Sequence, residues 1–409
     1  VAVLILNGGS SSWKVSIYGD VAAGAVPVEA AIATAELSWP SADDARDARL
    51  TLHSPSSAKA AGDPQTLRVA PNGDAIGAAC DALRATGAPL DGLRAIGHRV
   101  VHGGMLFAHS VRIDAKVEAG LRSLEPLAPS HNKRELAGMD ATRALFPGVP
   151  QIAAFDTSFH RTLAPAAYVY PGPYAWRERD IRRYGFHGLS VAYCTERAAQ
   201  LLGRDQRDAH LIVAHLGGGC SVTAVRDGAS VDTSMGFTPL DGTMMGTRSG
   251  AVDPGILTYL ARELAARGES AAAVAGALDD ALNHKSGLLG ISGISDDVRD
   301  IEAAASGGND RAQLALDLFA HRTAVTIAGM ATSLDRVDAL VFTGGIGEHA
   351  APVRARICAR LRMFGIALDE TANFTLRDEG RIATSGPPVL VVPTREEWYV
   401  ARECARVLA

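Results

Sequence analysis

The sequence predicts an α/β protein made of two related halves, and three features carry that expectation. Strand-like runs alternate with long helical patterns along the chain. A glycine-rich turn between two strands occurs twice, as LNGGSSS (6–12) and LGGGCSV (216–222). These echoes lie about half of the 409-residue chain apart, as a duplication would place them. Two such halves, each contributing a hairpin turn, would face one another across a cleft.

Taken in order, the apolar run 1–6 and the β-branched and aromatic stretch 14–18 read as strands, followed by 30–38, 94–101, 150–155, 210–216, 221–226, 338–343 and 388–393. Helical periodicity marks 74–86, 115–123, 132–146, 189–203, 253–267, 311–334, 350–362 and 395–408. Residues 41–73 hold few large apolar side chains and much Ala, Ser, Asp and Pro, and are expected to form an exposed, mobile excursion. A third glycine turn, TGGIGEH (343–349), follows the strand ALVFT and opens a helix, the arrangement in which a helix N-terminus meets phosphate. Backbone N–H groups in the two hairpin turns can form anion-holding nests without a helix. The plainer alternative is that they are only tight hairpins. Three such turns in one chain favour phosphate.

Length and composition narrow the class. A chain of 409 residues with 47% apolar content is expected to form two domains with ordinary cores. A net charge of −5 argues against nucleic-acid binding, and the basic stretch RERDIRR (177–183) is interleaved with acids like a solvated face. No apolar stretch approaches the roughly 20 residues that cross a bilayer, and the N-terminal apolar run is short for a signal peptide and lacks a basic leader. Five cysteines (Cys80, Cys194, Cys220, Cys358, Cys404), odd in number and without a CxxC pair, fit reduced thiols in the cytoplasm rather than a disulfide or zinc framework.

Several polar residues stand near strand ends, where α/β proteins place their sites. Arg99 lies within the apolar strand of GHRVVHGG (97–104), so it needs an anionic partner, structural or bound. Asp156 follows the strand QIAAF; it is either a helix N-cap or a site acid. His187 is bracketed by glycines in YGFHGLS (184–190), Arg248 sits in DGTMMGTRSG (241–250), and His131 follows a Pro-containing turn in LAPSHN (127–132). In PTREEW (393–398), Thr394 and Glu397 match a capping box, which leaves Glu396 for the helix dipole or a magnesium contact. Cations, two acids and three phosphate turns suit phosphoryl transfer, in which a protein positions groups and neutralises charge.

These motifs give the chain a strong resemblance to the acetate kinase family, propionate kinases included. It rests on NGGSSSWK, GHRVVHGG, FDTSFH, YGFHG, VDTSMGFTPLDGTMMGTRSG, TGGIGEH and PTREE, in order from one end of the chain to the other. The resemblance implies duplicated actin/Hsp70/sugar-kinase-like (RNase H-like) domains with a cleft between them, usually in a homodimer. Residues 1–155 and 388–409 would form an N-terminal domain on the acyl and metal side, with the last helix returning to it. Residues 156–387 would form a C-terminal nucleotide-binding and dimerisation domain. The implied reaction is reversible, ATP-dependent phosphorylation of acetate or a similar short carboxylate by direct in-line transfer with Mg2+, or Mn2+. Carried over by position, Asn7 and Glu396 would hold the metal, and Lys14 would meet the nucleotide phosphates. Arg99 would bind the carboxylate with Arg248 as its partner. Asp156, His187, Arg248, Arg99 and His131 would be catalytic. Val101, Ser130, Phe186 and Pro239 would line the acyl pocket. The nucleotide would lie along His215, Leu216, Gly217, Gly218 and Gly219; along Asp297, Val298 and Arg299; and along Gly345, Ile346, Gly347, Glu348 and His349.

The chain departs from the family pattern at a few positions. Gly8 replaces a common Cys, Gly218 an Asn, Leu189 a Thr, Val191 a His and His349 an Asn. Ser130 stands where the family usually has Leu, which implies a roomier acyl pocket that accepts propionate or a hydroxylated acid. Four rivals follow: a propionate- or butyrate-type kinase, a pyrophosphate-dependent variant, against which Asp297 and Arg299 remain where the nucleoside should bind, an actin- or chaperone-like nucleotide-binding module, and a member that binds nucleotide without turnover. Arg99 and Arg248 have no evident use in such a module.

Overall fold

The computed structural model describes residues 2–9, 12–19, 21–22, 30–39, 47–53, 64–69, 73–127 and 129–409. The side chains of Pro126 and residues 129–131 are outside that description, as are Ser10 and Ser11 of the first turn. Contacts divide the chain into two compact units, Val1–Ser158 with Arg395–Ala409, and Phe159–Thr394.

The first unit is built on an eight-stranded sheet. The strand Val3–Gly8 pairs antiparallel with Ser12–Tyr18 and parallel with Ala95–Val100, which in turn runs parallel to Gln151–Phe155. Ala33–Ser38 continues the meander beyond Ser12–Tyr18. Because the central strands are covered on both faces, they read as nearly unbroken apolar runs rather than alternating ones. Leu4, Leu6, Val15 and Ile17 pack with Trp13, Ile76, Leu83 and Ile96 in one core. The helix Glu396–Leu408 belongs to this unit and presses Val400 and Cys404 against Gly97. A Cβ on Gly97 would come within 2.8 Å of Val400 and 2.7 Å of Cys404 Sγ, so only glycine lets the helix sit that close.

The expected mobile excursion contains structure. Ala48–His53 and Gln65–Leu67 extend the sheet edge in antiparallel pairing, and Ala48 and Leu50 enter the core. Two apolar residues on one face of a short edge strand suffice when neighbouring strands complete the burial, and composition alone does not reveal that. The parts of that segment at 40–46, 54–63 and 70–72 lie outside the described residues.

The second unit repeats the plan. His210–Leu216 pairs antiparallel with Cys220–Arg226, which pairs with Ala229–Thr233; on its other side, His210–Leu216 runs parallel to Ala339–Thr343, and that strand parallel to Val389–Val391. When only the five central strands of each sheet are counted, in chain order, both sheets share the order 3-2-1-4-5. The sequence echo is thus matched by a topological one. Val389–Val391 joins the second sheet, and the chain returns to the first unit at Arg395.

Candidate active site

In the first unit the functional side chains gather where the parallel strands end. Asn7 and Lys14 are direct cross-strand partners, so their side chains leave the same face of the hairpin. Both reach Glu397: Asn7 Nδ2 donates to Oε1 at 2.9 Å, and Lys14 Nζ lies 3.1 Å from the same oxygen. Asn7 Nδ2 also lies 3.4 Å from Glu396 Oε2. Arg99 and Asp156 come from adjacent parallel strands, and Asp156 is placed by its backbone N–H bond to the Val100 carbonyl. Arg99 Nε and Nη2 donate to the two Asp156 oxygens at 2.9 and 2.6 Å, while Nη1 donates to Asn7 Oδ1 at 2.9 Å. Burial works against the Arg99 charge, but Asp156 and Glu396 outweigh it and hold the guanidinium firmly protonated. Lys14 is likewise opposed by burial and held charged by Glu397.

The expected capping box does not form. Arg395 is the N-cap of the last helix and makes no side-chain capping bond. The Thr394 hydroxyl donates instead to Ser190 Oγ, and Glu397 is taken by Asn7 and Lys14. Charge-assisted bonds to a buried acid outcompete a local cap. Asp156, for its part, is no helix cap: its carboxylate is committed to Arg99.

One acid of this unit was not anticipated. Glu135 is buried; its Oε1 accepts the Val101 backbone N–H at 3.0 Å, and its Oε2 has no hydrogen-bond partner among the described residues. Burial raises its pKa to about 8, against the lowering effects of the Val101 bond and Arg99. The sequence held a signal for it, since Asn132, Glu135, Leu136 and Met139 share one helix face at spacings of three and four, and all are buried. Val101 is buried. The side chains of Ser130 and His131, on the helix Pro129–Leu145, fall outside the described residues.

The second unit gathers a different group around Gly217–Gly219. His187 adopts a left-handed backbone (φ 60) at the N-cap of the helix Gly188–Leu201, a conformation uncommon for a side chain with a Cβ. It is preceded by Phe186, whose carbonyl accepts a bond from buried His160 Nε2. That obliges His160 to carry its proton on Nε2 and to accept from Ser230 at Nδ1; burial keeps the ring neutral, with a pKa lowered to about 4. His187 Nδ1 meets Ser221 Oγ at 3.0 Å, and its ring stacks on His215 at 4.1 Å. Arg248 is mostly buried, donates to the Pro239 carbonyl, and has no carboxylate within salt-bridge distance among the described residues. Burial lowers its pKa. A Cβ on Gly219 would lie 3.3 Å from His187 Nε2 and 3.4 Å from Arg248 Nη1, so two cationic or donor groups converge on one point of the turn. An unpaired buried guanidinium there is the chemistry of an anion site.

The second glycine turn adjoins this one. Gly344 (φ +77) starts the helix Gly344–His349, and a Cβ on it would lie 2.8 Å from the Leu216 carbonyl, so the glycine joins the two turns. Glu348 Oε1 fastens that start by accepting the Gly344 and Thr394 N–H groups. Buried Arg354 bonds to the Gly347 and Glu348 carbonyls from behind, another residue that sequence reasoning did not single out. Gly218 and Gly345 both face open space. Asp297 caps the helix Val298–Ser306 by accepting from the Arg299 N–H, and Arg299 pairs with it on the surface, so the Asp297 carboxyl is held below its ordinary pKa. Neighbouring Asp296 comes close to Gly246, which bonds back to the Gly218 carbonyl. Ile346 and Gly347 complete the short helix, and His349 is exposed at its end.

Residues 2–402 match the profile of the Acetokinase family. The chain belongs to that family. An acetate kinase from Gloeobacter violaceus is 46% identical over 413 residues, 98% of each chain, and one from Synechococcus is 49% identical over 76% of each. Among solved structures, a Porphyromonas gingivalis acetate kinase superposes with a TM-score of 0.85 at 36% identity over the full length of both chains. A propionate kinase from Francisella tularensis superposes with a TM-score of 0.86 at 36% identity, covering 98% of each. The duplicated actin-like two-domain fold of the family accounts for the repeated strand order.

Proposed function

We propose that the protein transfers the γ-phosphoryl group of ATP to the carboxylate of acetate or a similar short-chain acid, giving ADP and an acyl phosphate, and that it runs in both directions. The observation that carries this reading is Arg99, clamped in one orientation by Asp156 and Asn7. Three of the five guanidinium N–H groups are used in those bonds, which leaves one on each terminal nitrogen to meet a carboxylate. A short carboxylic acid is already ionised at neutral pH, so no general base is needed to make the nucleophile. Asp156, with both oxygens turned to Arg99, supports a role in aligning that arginine rather than taking a proton.

The carboxylate oxygen forms the new bond to the γ-phosphorus as the bond to the ADP oxygen breaks, and no proton need move. Charge spreads over the equatorial phosphoryl oxygens in this step. Arg248 and the His187 Nε2 edge are suited to stabilise it, being preorganised and largely withdrawn from water. The glycine turns 217–219 and 344–347 would receive the nucleotide phosphates, with Asp297–Arg299 toward the nucleoside, His349 at the edge of the site, and Lys14 a further phosphate contact. Val101, Phe186 and Pro239, with Ser130, would form the acyl pocket, and His131 would act beside it.

The donor set suits magnesium. Glu396 and the Asn7 amide offer hard oxygens, and the Glu396 carboxylate is only loosely engaged, at 3.4 Å from Asn7 and 3.8 Å from Arg99. Magnesium takes one or two protein ligands and keeps water and phosphate oxygens for the rest. Asn7 and Glu396 would hold it, and the ion would supply charge neutralisation on the phosphates.

The protein is also proposed to be a cytoplasmic homodimer. Its five cysteines are buried and form no disulfide among the described residues, in keeping with a reducing compartment, and no helix among the described residues is long and apolar enough to cross a membrane. The helices Pro254–Ala266 and Ala271–His284 bury no residue within the chain and expose Ile256 and Tyr259, which suits a face that a second copy covers.

Trapping acyl phosphate as a hydroxamate, with ATP and straight-chain acids of one to five carbons, tests activity and chain-length preference together. The wild type should turn over acetate and, given Ser130, propionate comparably well, while Arg99→Ala should be silent. A silent wild type that still binds ATP would favour a nucleotide-binding module without acid kinase activity. A steep preference for acetate would remove the roomier-pocket reading.

A further inference from the structure

The polar chain behind the Gly217–Gly219 turn bears on how its histidines present themselves. Ser190 is fully buried in the first turn of the helix Gly188–Leu201. Its Oγ accepts a bond from the Thr394 hydroxyl at 3.1 Å and lies 2.8 Å from His215 Nδ1. A hydroxyl has one proton to give. With Thr394 donating inward, the Ser190 proton has His215 Nδ1 as its acceptor. An imidazole that accepts at Nδ1 in its neutral form carries its proton on Nε2.

The position of Nε2 gives this consequence. It lies 3.8 Å from where a Cβ on Gly217 would stand, and the Gly345 backbone nitrogen lies 3.8 Å from the same point. His215 Nε2 and the Gly345 N–H therefore flank one spot at the junction of the two glycine turns. His187 stacks on the His215 ring with an interplanar angle of 26°.

We propose that Ser190, itself oriented by Thr394, is a positioning residue that fixes His215 as the Nε2–H tautomer and so makes that nitrogen a hydrogen-bond donor to a nucleotide phosphate at the two turns. The second half of the proposal rests on the nucleotide lying there, as argued under Proposed function. Neither serine nor threonine touches the reacting atoms. Their effect passes through His215, which in the Nδ1–H form would turn a lone pair toward the phosphate and repel it.

Nitrogen-15 NMR of protein labelled at histidine reads the tautomer directly, because protonated and unprotonated ring nitrogens resonate far apart. His215, assigned by loss of its signal in His215→Gln, should show a protonated Nε2 and a bare Nδ1 in the wild type. Ser190→Ala should mix or invert the two signals and raise the KM for ATP by about three- to tenfold, with the KM for acetate little changed. Thr394→Val keeps Ser190 in place and serves if Ser190→Ala does not fold; it should shift the same signals in the same direction. Thr394→Ser, which keeps the hydroxyl, should restore them. A wild-type His215 protonated on Nδ1 overturns the relay. A correct tautomer that Ser190→Ala disturbs without changing the KM for ATP leaves the relay standing and removes the nucleotide from this turn.

Discussion

Glu135 allows the most quantitative test of the energetics of the first unit. Its carboxyl is buried, bonded among the described residues only through Oε1 to Val101 N–H, and its pKa is pushed up to about 8 from the ordinary value of 4.5. For an acid shifted upward, the native state keeps a proton that the unfolded chain has lost, so stability falls as pH rises through that window. Below about pH 4.5 both states are protonated and the group costs nothing. By pH 7 the cost is about 3 kcal/mol, and above pH 8 it levels off near about 5 kcal/mol. Glu135→Gln retains an acceptor for Val101 and cannot ionise. Burying the amide adds a penalty of about 1–3 kcal/mol that is the same at every pH. The diagnostic is therefore the slope: the variant should gain on the wild type by about 1.3 kcal/mol per pH unit between about pH 5.5 and 7, flattening above that. Urea denaturation followed by tryptophan fluorescence reads it, since Trp13 and Trp39 belong to the first unit's core and lie beneath Arg134, the helix neighbour of Glu135. Parallel stability curves for the two proteins across that range would refute the reasoning.

Three further outcomes follow from the geometry. Gly219→Ala puts a methyl group 3.3 Å from His187 Nε2 and 3.4 Å from Arg248 Nη1, so kcat should fall by about tenfold or more while urea stability changes little; Gly77→Ala, which meets nothing within 4 Å in the helix Gly73–Ala85, should keep near-normal turnover, and equal losses in both would remove the convergence argument. Asp156→Ala frees Arg99 from its bidentate clamp, and steady-state kinetics should show kcat falling by about 100-fold with a smaller change in the KM for acetate; loss of acetate affinity at unchanged kcat would show that Asp156 serves binding alone. Gly344→Ala forces a side chain into a left-handed backbone against the Leu216 carbonyl, and thermal unfolding should register a loss of about 1–3 kcal/mol.

What could be read from the chain was local. The hairpin turns at Gly8 and Gly217, the helix-opening turn at Gly344 and the arginine set in an apolar strand each declare their chemistry within a few residues. Glu135 escaped notice because its importance lies in burial, which a helix pattern hints at and only packing sets. Ser190 and Ser221 escaped because a serine is informative only once its partner is known. The edge strands Ala48–His53 and Gln65–Leu67 escaped because their stability comes from neighbouring strands rather than from their own composition.

By itself, then, the sequence determined the class of fold, its duplication and the residue types available for phosphoryl chemistry, since periodicity, turn residues and motif order are properties of short stretches. Tertiary structure alone decided the pairings. Arg99 meets Asp156 across 57 residues because their strands are parallel neighbours, and Asn7 meets Glu397 across 390 because the last helix returns to the first sheet. Thr394 left its apparent cap for Ser190 and Glu397 went to Asn7 and Lys14, since side chains brought close by the folded sheets offered stronger bonds than the local backbone did.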